Sequence, residues 1–120
     1  MTGTVSPLVE LPAAEPPINV YESGSDLSVA LPIPGAHAQH VEIVVSPHRL
    51  RVDAACKYPQ TRQHYLRRDW QVGRWAIDLP LPRRIDPART RATLNLGVLV
   101  VMAPISDEGD GEHRPEVAGS

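Results

Sequence analysis

The sequence predicts an all-β domain, an antiparallel sandwich or barrel. Apolar residues alternate with polar or small ones in several short runs, the period of two that a half-buried strand requires. Turn residues punctuate those runs at short spacing. Thirteen prolines in 120 residues argue against long helices, because proline removes a backbone donor and clashes inside a helix. No segment carries a convincing 3.6-residue period.

The elements follow in order. Leu27, Val29, Leu31 and Ile33 alternate with Ser28, Ala30 and Pro32, and Pro34-Gly35 ends the run. Val41, Ile43 and Val45 alternate with Glu42 and Val44. Ser46-Pro47-His48 reads as a turn, after which Leu50 and Val52 alternate with Arg49, Arg51 and Asp53. Trp75, Ile77, Leu79 and Leu81 alternate with Arg74, Ala76, Asp78 and Pro80. Ala92, Leu94 and Leu96 alternate with Arg91, Thr93 and Asn95, and Gly97 leads into Val98–Met102.

The chain divides into three parts. Residues 1–15 are Pro-rich and read as a short extended arm. Residues 16–105 carry the alternating pattern and form one domain of ordinary size. Residues 106–120 are acidic and Gly-rich with few apolar residues, and are expected to be a disordered tail. Hydrophobic residues make up 42% of the chain, but Phe is absent and aromatics are only 4%. The core must therefore come from Val, Leu, Ile and Ala, with Trp70 and Trp75 as its large anchors.

Several function classes fall away. The net charge of −2 gives no nucleic-acid footprint. The Arg-rich stretch 62–91 is interleaved with Asp69, Asp78 and Asp86, so it reads as solvated strand faces and ion pairs. One cysteine, Cys56, cannot form an intramolecular disulfide. Residues 1–14 lack a basic region and a continuous apolar run, and no stretch of about 18 apolar residues occurs. A cytoplasmic protein without membrane contact is expected. His37, His40, His48, His64 and His113 are scattered, away from metal-ligand spacing. No phosphate loop or nucleophile elbow is present. The chain is expected to be no enzyme and to carry no cofactor or metal, which leaves binding.

Three groups of residues resemble the small heat-shock protein (alpha-crystallin domain) family. The first is the run Leu27 to Ile33 ending in Pro34-Gly35. The second is Tyr65, Asp69, Gly73-Arg74-Trp75 and Leu81-Pro82-Arg83-Arg84-Ile85-Asp86. The third is Ala92-Thr93-Leu94-Asn95-Leu96-Gly97-Val98-Leu99, running into Ala103-Pro104. They occur in the family's order at nearly its spacing, over about residues 17 to 105. There are departures. Ile77 stands where the family usually has Arg. Leu96 stands where it has Asn or Asp, so a wider turn is expected, with Gly97 alone at positive φ. The arm lacks Phe. The tail lacks the family's Ile-x-Ile motif, and Val117 stands alone there.

The resemblance implies an immunoglobulin-like antiparallel β-sandwich, the alpha-crystallin domain. It implies an ATP-independent holdase that binds non-native client proteins and limits their aggregation. An apolar client or tail groove is implied at Val41, Ile43, Val45, Ala92 and Leu94, although the same side chains could simply fill the core. A dimer loop is implied at Tyr65, Arg67 and Asp69, pairing with a receiving strand from Ile18 to Glu22 that includes Val20. Itself is therefore a second partner: a homodimer is expected, with small oligomers rather than a large cage. Leu8-Val9-Glu10-Leu11 alternates like a groove-binding segment. Two other readings stand beside this one: a CS-type co-chaperone module, and a structural protein that stabilises an assembly.

Overall fold

In most of the strands alternate apolar residues point inward, and the two sheets form where those apolar faces meet. The computed structural model describes residues 13–56, 63–70 and 73–119. The strands are β1 (Asn19–Ser23), β2 (Asp26–Pro32), β3 (Ala36–Ser46), β4 (Arg49–Cys56), β5 (Arg74–Pro80), β6 (Arg91–Asn95), β7 (Val98–Pro104) and β8 (Val117–Gly119). A 3-10 turn, Pro87–Arg89, precedes β6. One sheet has five strands in the order β1-β2-β7-β6-β8; the other has three, β3-β4-β5. Neighbours are antiparallel except β6 and β8, which are parallel. The fold is the expected all-β sandwich.

Register places apolar side chains opposite one another on the inner faces. Val29 faces Val101 and Leu31 faces Leu99 across β2 and β7. Ile43 faces Val52, which in turn faces Ile77 in the second sheet. All six are buried. Such cross-strand pairs are the unit of sheet stabilisation. Ile77, at the departure from the family pattern, is simply one of these core residues.

The two tryptophans differ. Trp75 is 7% exposed and Trp70 is 54% exposed, so Trp75 alone anchors the core. It occupies an inward position of β5, opposite Ala54, whereas Trp70 lies in the β4–β5 connection outside any alternation. The Trp75 indole Nε1 donates to the Pro34 carbonyl at 3.1 Å, which ties β5 to the β2–β3 turn and satisfies the indole's one donor.

The β6–β7 turn also departs from expectation. It is a two-residue turn, because Asn95 and Val98 are paired across it. Leu96 has φ 53° and Gly97 φ 79°. The register leaves no third residue, so both take the left-handed conformation that two-residue hairpins favour. For a leucine this costs roughly 1–2 kcal/mol. The Gly97 carbonyl accepts from the Ile33 amide at 2.8 Å, which pins the hairpin to the sheet.

Residues 106–119 are a correction. In place of a disordered tail, the structure lays them along the sandwich and ends them in β8. Low apolar content signals little burial, but backbone pairing does not depend on side-chain polarity, and an open sheet edge offers it. At the other terminus Ala14 pairs with the free edge of β5: its amide donates to the Arg74 carbonyl at 2.9 Å, and the Ala76 amide donates to its carbonyl at 3.0 Å. Residues 8–11 lie outside the described residues. Among the described residues no helix is long and apolar enough to cross a membrane.

Candidate binding site at the sheet edges

The expected groove residues come together at facing edges of the two sheets. Val41, Ile43 and Val45 lie on β3, the edge of the three-stranded sheet, and Ala92 and Leu94 lie on β6. All five are buried. The gap between the two strands holds the chain's own tail. The amides and carbonyls of Val45 and His113 exchange both backbone hydrogen bonds at 2.9 Å. Further along, Ala92 pairs with Val117 and Leu94 with Gly119. Val117 is half-buried and packs against the core. Beside the tail remains a cleft of about 430 Å³ walled by Ala38, Gln39, Val41, Glu42, Ile43 and residues 114–117.

The run Leu81 to Asp86 carries the chain from one sheet to the other, and each of its groups has a task. The amides of Leu81 and Ile85 donate to the His48 and Pro47 carbonyls at 2.8 and 3.0 Å. Ile85 is buried. The Asp86 carboxylate caps the 3-10 turn by accepting from the Ala88 amide at 3.2 Å, as expected of an N-cap acid. Arg84 turns toward the tail. Its guanidinium donates to the carbonyls of Ser106 (3.2 Å), Glu108 (3.1 Å) and Gly109 (2.8 Å), and to Asp110 Oδ1 at 3.0 Å. The planar fork of arginine suits such a multiple clamp. Its neighbour Arg83 reaches the opposite side of the sheet and donates to Glu22 of β1 at 3.3 Å.

The second expected site is more open. All five residues of β1 are exposed, Val20 among them, and Ile18 packs against the rim of the core. No described strand pairs with the outer side of β1. In the β4–β5 connection Tyr65, Arg67 and Asp69 are exposed and form no strand. Arg67 Nε donates to the Asp69 carboxylate at 3.1 Å, and the Arg68 guanidinium lies 5.4 Å from the centre of the Tyr65 ring. Leu66, between them, is 94% exposed. Among the described residues the loop and β1 do not pair within one chain.

Electrostatics on the outer faces are paired. In the stretch 62–91, Arg67, Arg74, Arg83, Arg84 and Arg91 each meet a carboxylate. Arg74 binds Asp53 in bidentate fashion across β4 and β5, with Nε at 2.9 Å from Oδ1. That hydrogen bond holds the Asp53 carboxyl below its ordinary value against the opposing effect of burial. Arg49 does the same for Asp78 at 2.5 Å. The His37 and His40 rings lie 5.7 Å apart. Among the described residues no group of three or more His, Cys, Asp or Glu is placed to hold a metal ion.

Arg84 and β8 were not foreseen. The partners of Arg84 lie 22 to 26 residues further along the chain, beyond any local pattern. Arg114-Pro115-Glu116-Val117 did carry a weak extended signal, since the residue before proline is driven toward β conformation.

Two sheets, with an exposed edge at β1 and the tail in the gap between β3 and β6, define the β-sandwich. The comparisons give it a family. The family model for the Hsp20/alpha crystallin family matches residues 19–117. HspA from Xanthomonas axonopodis has a similar structure, with TM-score 0.69 and 18% identity over 78% of this chain and 96% of that one. Heat shock protein 16.0 from Schizosaccharomyces pombe gives TM-score 0.67 and 20% identity, covering 81% and 71%. A small heat-shock protein from Xylella fastidiosa gives 0.64 and 20%, covering 87% and 96%. No curated protein sequence matches the chain. The chain belongs to the Hsp20/alpha crystallin family of small heat-shock proteins.

Proposed function

We propose that this protein is an ATP-independent holdase that binds non-native proteins in the cytoplasm and limits their aggregation. The exposed edge strand β1, on a domain of this family, carries the reading. Unfolding intermediates expose apolar segments and unpaired strand edges. An open edge captures such segments through main-chain hydrogen bonds, and adjacent apolar residues add affinity. No chemistry or nucleotide enters. The Val41, Ile43, Val45, Ala92 and Leu94 groove is the second place where an extended segment would sit.

The proposed working unit is a homodimer. The exposed loop residues Tyr65, Arg67 and Asp69, with Leu66 beside them, would cover β1 of a second copy around Ile18 and Val20, and a client segment would take β1 in exchange for that loop. Two such exchanges close about a two-fold axis. The test of function is light scattering from a heated model client, without ATP, with the protein at near-equimolar ratio. Delayed scattering is expected; scattering unchanged at excess protein overturns the proposal.

A further inference from the structure

We propose that the outer face of the five-stranded sheet is a contact surface for a second copy of this chain, face against face and separate from the edge of β1. The two outer faces of the sandwich are built differently. That of the three-stranded sheet is charged, with Glu42, Arg49, Arg51, Asp53, Arg74 and Asp78 spread across it. On the five-stranded sheet Asp26 and Arg91 are the only outward charges among the described strand residues. They neutralise each other at 2.9 Å.

Register lays an uncharged band between that ion pair and the β6–β7 turn. Tyr21, Ser28 and Met102 form one row across β1, β2 and β7, and Ala30 and Val100 lie in the next. Val98 and Leu96 close the band at the turn. Tyr21 and Val98 are exposed, and Val100 and Met102 are half-buried. Protein interfaces are marked by few charges at their centre and by enrichment in Tyr and Met. This band has that composition, and the charged outer face does not.

Two residues of the band are unfavourable in a lone chain. Leu96 holds φ 53°, where leucine is strained, and it is 92% exposed. The hydrogen bond from the Ile33 amide to the Gly97 carbonyl fixes it there. A backbone outlier that presents an apolar side chain to water points to a functional surface. At the other end Ser28 is 1% exposed, and its hydroxyl makes no hydrogen bond. A buried polar atom of this kind calls for a partner. A second such face carries Asn19, Thr93 and Asn95 in the same outward register and brings amide and hydroxyl groups to it.

The chemistry selects the occupant. Nucleic acid needs a set of cations, and a membrane surface needs a basic rim. The one arginine of this face is taken by Asp26. The partner must therefore be equally uncharged, and the chain itself carries such a face. A two-fold axis in the plane of contact, passing by Ala30 and Val100, sets Leu96 of one copy against Tyr21 of the other, twice. The contact is then isologous and closes. From strand spacing and rise the band measures roughly 20 by 20 Å. Two copies would bury on the order of 1,000 Å² in all, the low end for a specific interface. That is too little to hold two single chains at micromolar concentration. It suffices to join pairs already formed at the β1 edge, and Tyr21 belongs to β1, so the two contacts adjoin.

Sedimentation equilibrium of the full chain tests the contact. The wild-type mass is expected to double over its low-concentration value between about 10 µM and about 1 mM, the range in which small interfaces form. Val98→Arg places a charge in the contact and should keep the low-concentration mass throughout. Leu96→Asn removes the apolar side chain but suits a left-handed φ. The doubling should therefore weaken about tenfold or more, while the urea unfolding midpoint stays or rises. A wild-type mass constant over the same range overturns the proposal, as it would if a different protein used this face. Doubling that both variants leave unchanged also overturns it. Should Val98→Arg fail to fold, Leu96→Asn against wild type decides by the same readouts. The low-concentration mass reports the loop exchange at β1 and the doubling reports the face, so the two can fail separately.

Discussion

The two outer sides of the five-stranded sheet meet solvent in opposite ways. β1 is exposed at every residue, and no described segment covers it. On the far side β6 is covered by β8 from the same chain. Unpaired edges template association with other chains, and folded proteins either blunt them or use them. Here one edge is open and the other is filled. Two adjacent arginines serve the two sides: Arg83 holds Glu22 of β1, and Arg84 holds the tail. The crossing from Leu81 to Asp86 therefore fixes both edges relative to one core. The sandwich does not treat its edges as equivalent surfaces, and a substitution should affect one without the other unless it strikes the core between them.

The largest effect should come from striking that core. Trp75→Ala removes the one buried tryptophan and its hydrogen bond to Pro34, and is expected to cost about 3–5 kcal/mol. That is a large share of the 5–15 kcal/mol typical of a domain. Urea unfolding measures it, and both edges should lose hydrogen-exchange protection together. An unchanged midpoint would mean that Trp75 is not the anchor.

Next is assembly through the open edge. Deletion of residues 58–68 is expected to convert the proposed dimer to monomer while changing the unfolding free energy by less than about 0.5 kcal/mol. Gel filtration coupled to light scattering reads the mass. A monomeric wild type, or a cage of many subunits, would break the proposed use of β1.

The closed edge should respond to Arg84. Arg84→Ala removes a partly buried clamp made of charge-assisted hydrogen bonds, and roughly 1–2 kcal/mol is expected to be lost. Amide exchange should quicken at residues 113–119 and stay unchanged at Asn19–Ser23. Equal acceleration at both edges would show that they are not independent.

The smallest effect is acid sensitivity on the outer face of the three-stranded sheet. Arg74 lowers the pKa of Asp53, so the folded state favours the ionised carboxylate. The stabilisation is then present above about pH 4, the unfolded carboxyl's range, and is lost as pH falls through the lower folded pKa. For a pair this exposed it amounts to roughly 0.2–1 kcal/mol. The stability difference between wild type and Asp53→Asn should shrink toward zero on titration from pH 6 to pH 2. A difference independent of pH would remove the ion pair from the account.

Legibility followed the period of two. Leu27 to Leu31, Trp75 to Leu79 and the pair Ala92 and Leu94 were assigned to inner faces by alternation alone, and each lies there. β3 was read only from Val41 to Val45, whereas the strand begins at Ala36. A register shift between Ala36 and Val41 breaks the alternation, so the earlier half carries no period to detect. β1 carries none either, because all its side chains are exposed; it entered only through the resemblance, as Ile18 to Glu22. Trp70 was taken for core on size, but size without register does not place a residue. Val41, Ile43 and Val45 lie on β3 and Ala92 and Leu94 on β6, but alternation did not show that residues 113–119 of the same chain lie between those strands.

The sequence by itself determined which faces are buried, and hence the sandwich, because alternating side chains leave water only if two apolar faces meet. It also carried the spacing by which the family is recognised. The tertiary structure alone decided what the edges and the tail do. An edge strand is held by backbone hydrogen bonds, which every non-proline residue can make, so composition does not mark where residues 113–119 will settle. Arg84 looks like any solvated arginine until folding brings Ser106 to Asp110 within its reach. Periodicity records burial against water; pairing at an edge depends on which backbone arrives beside it.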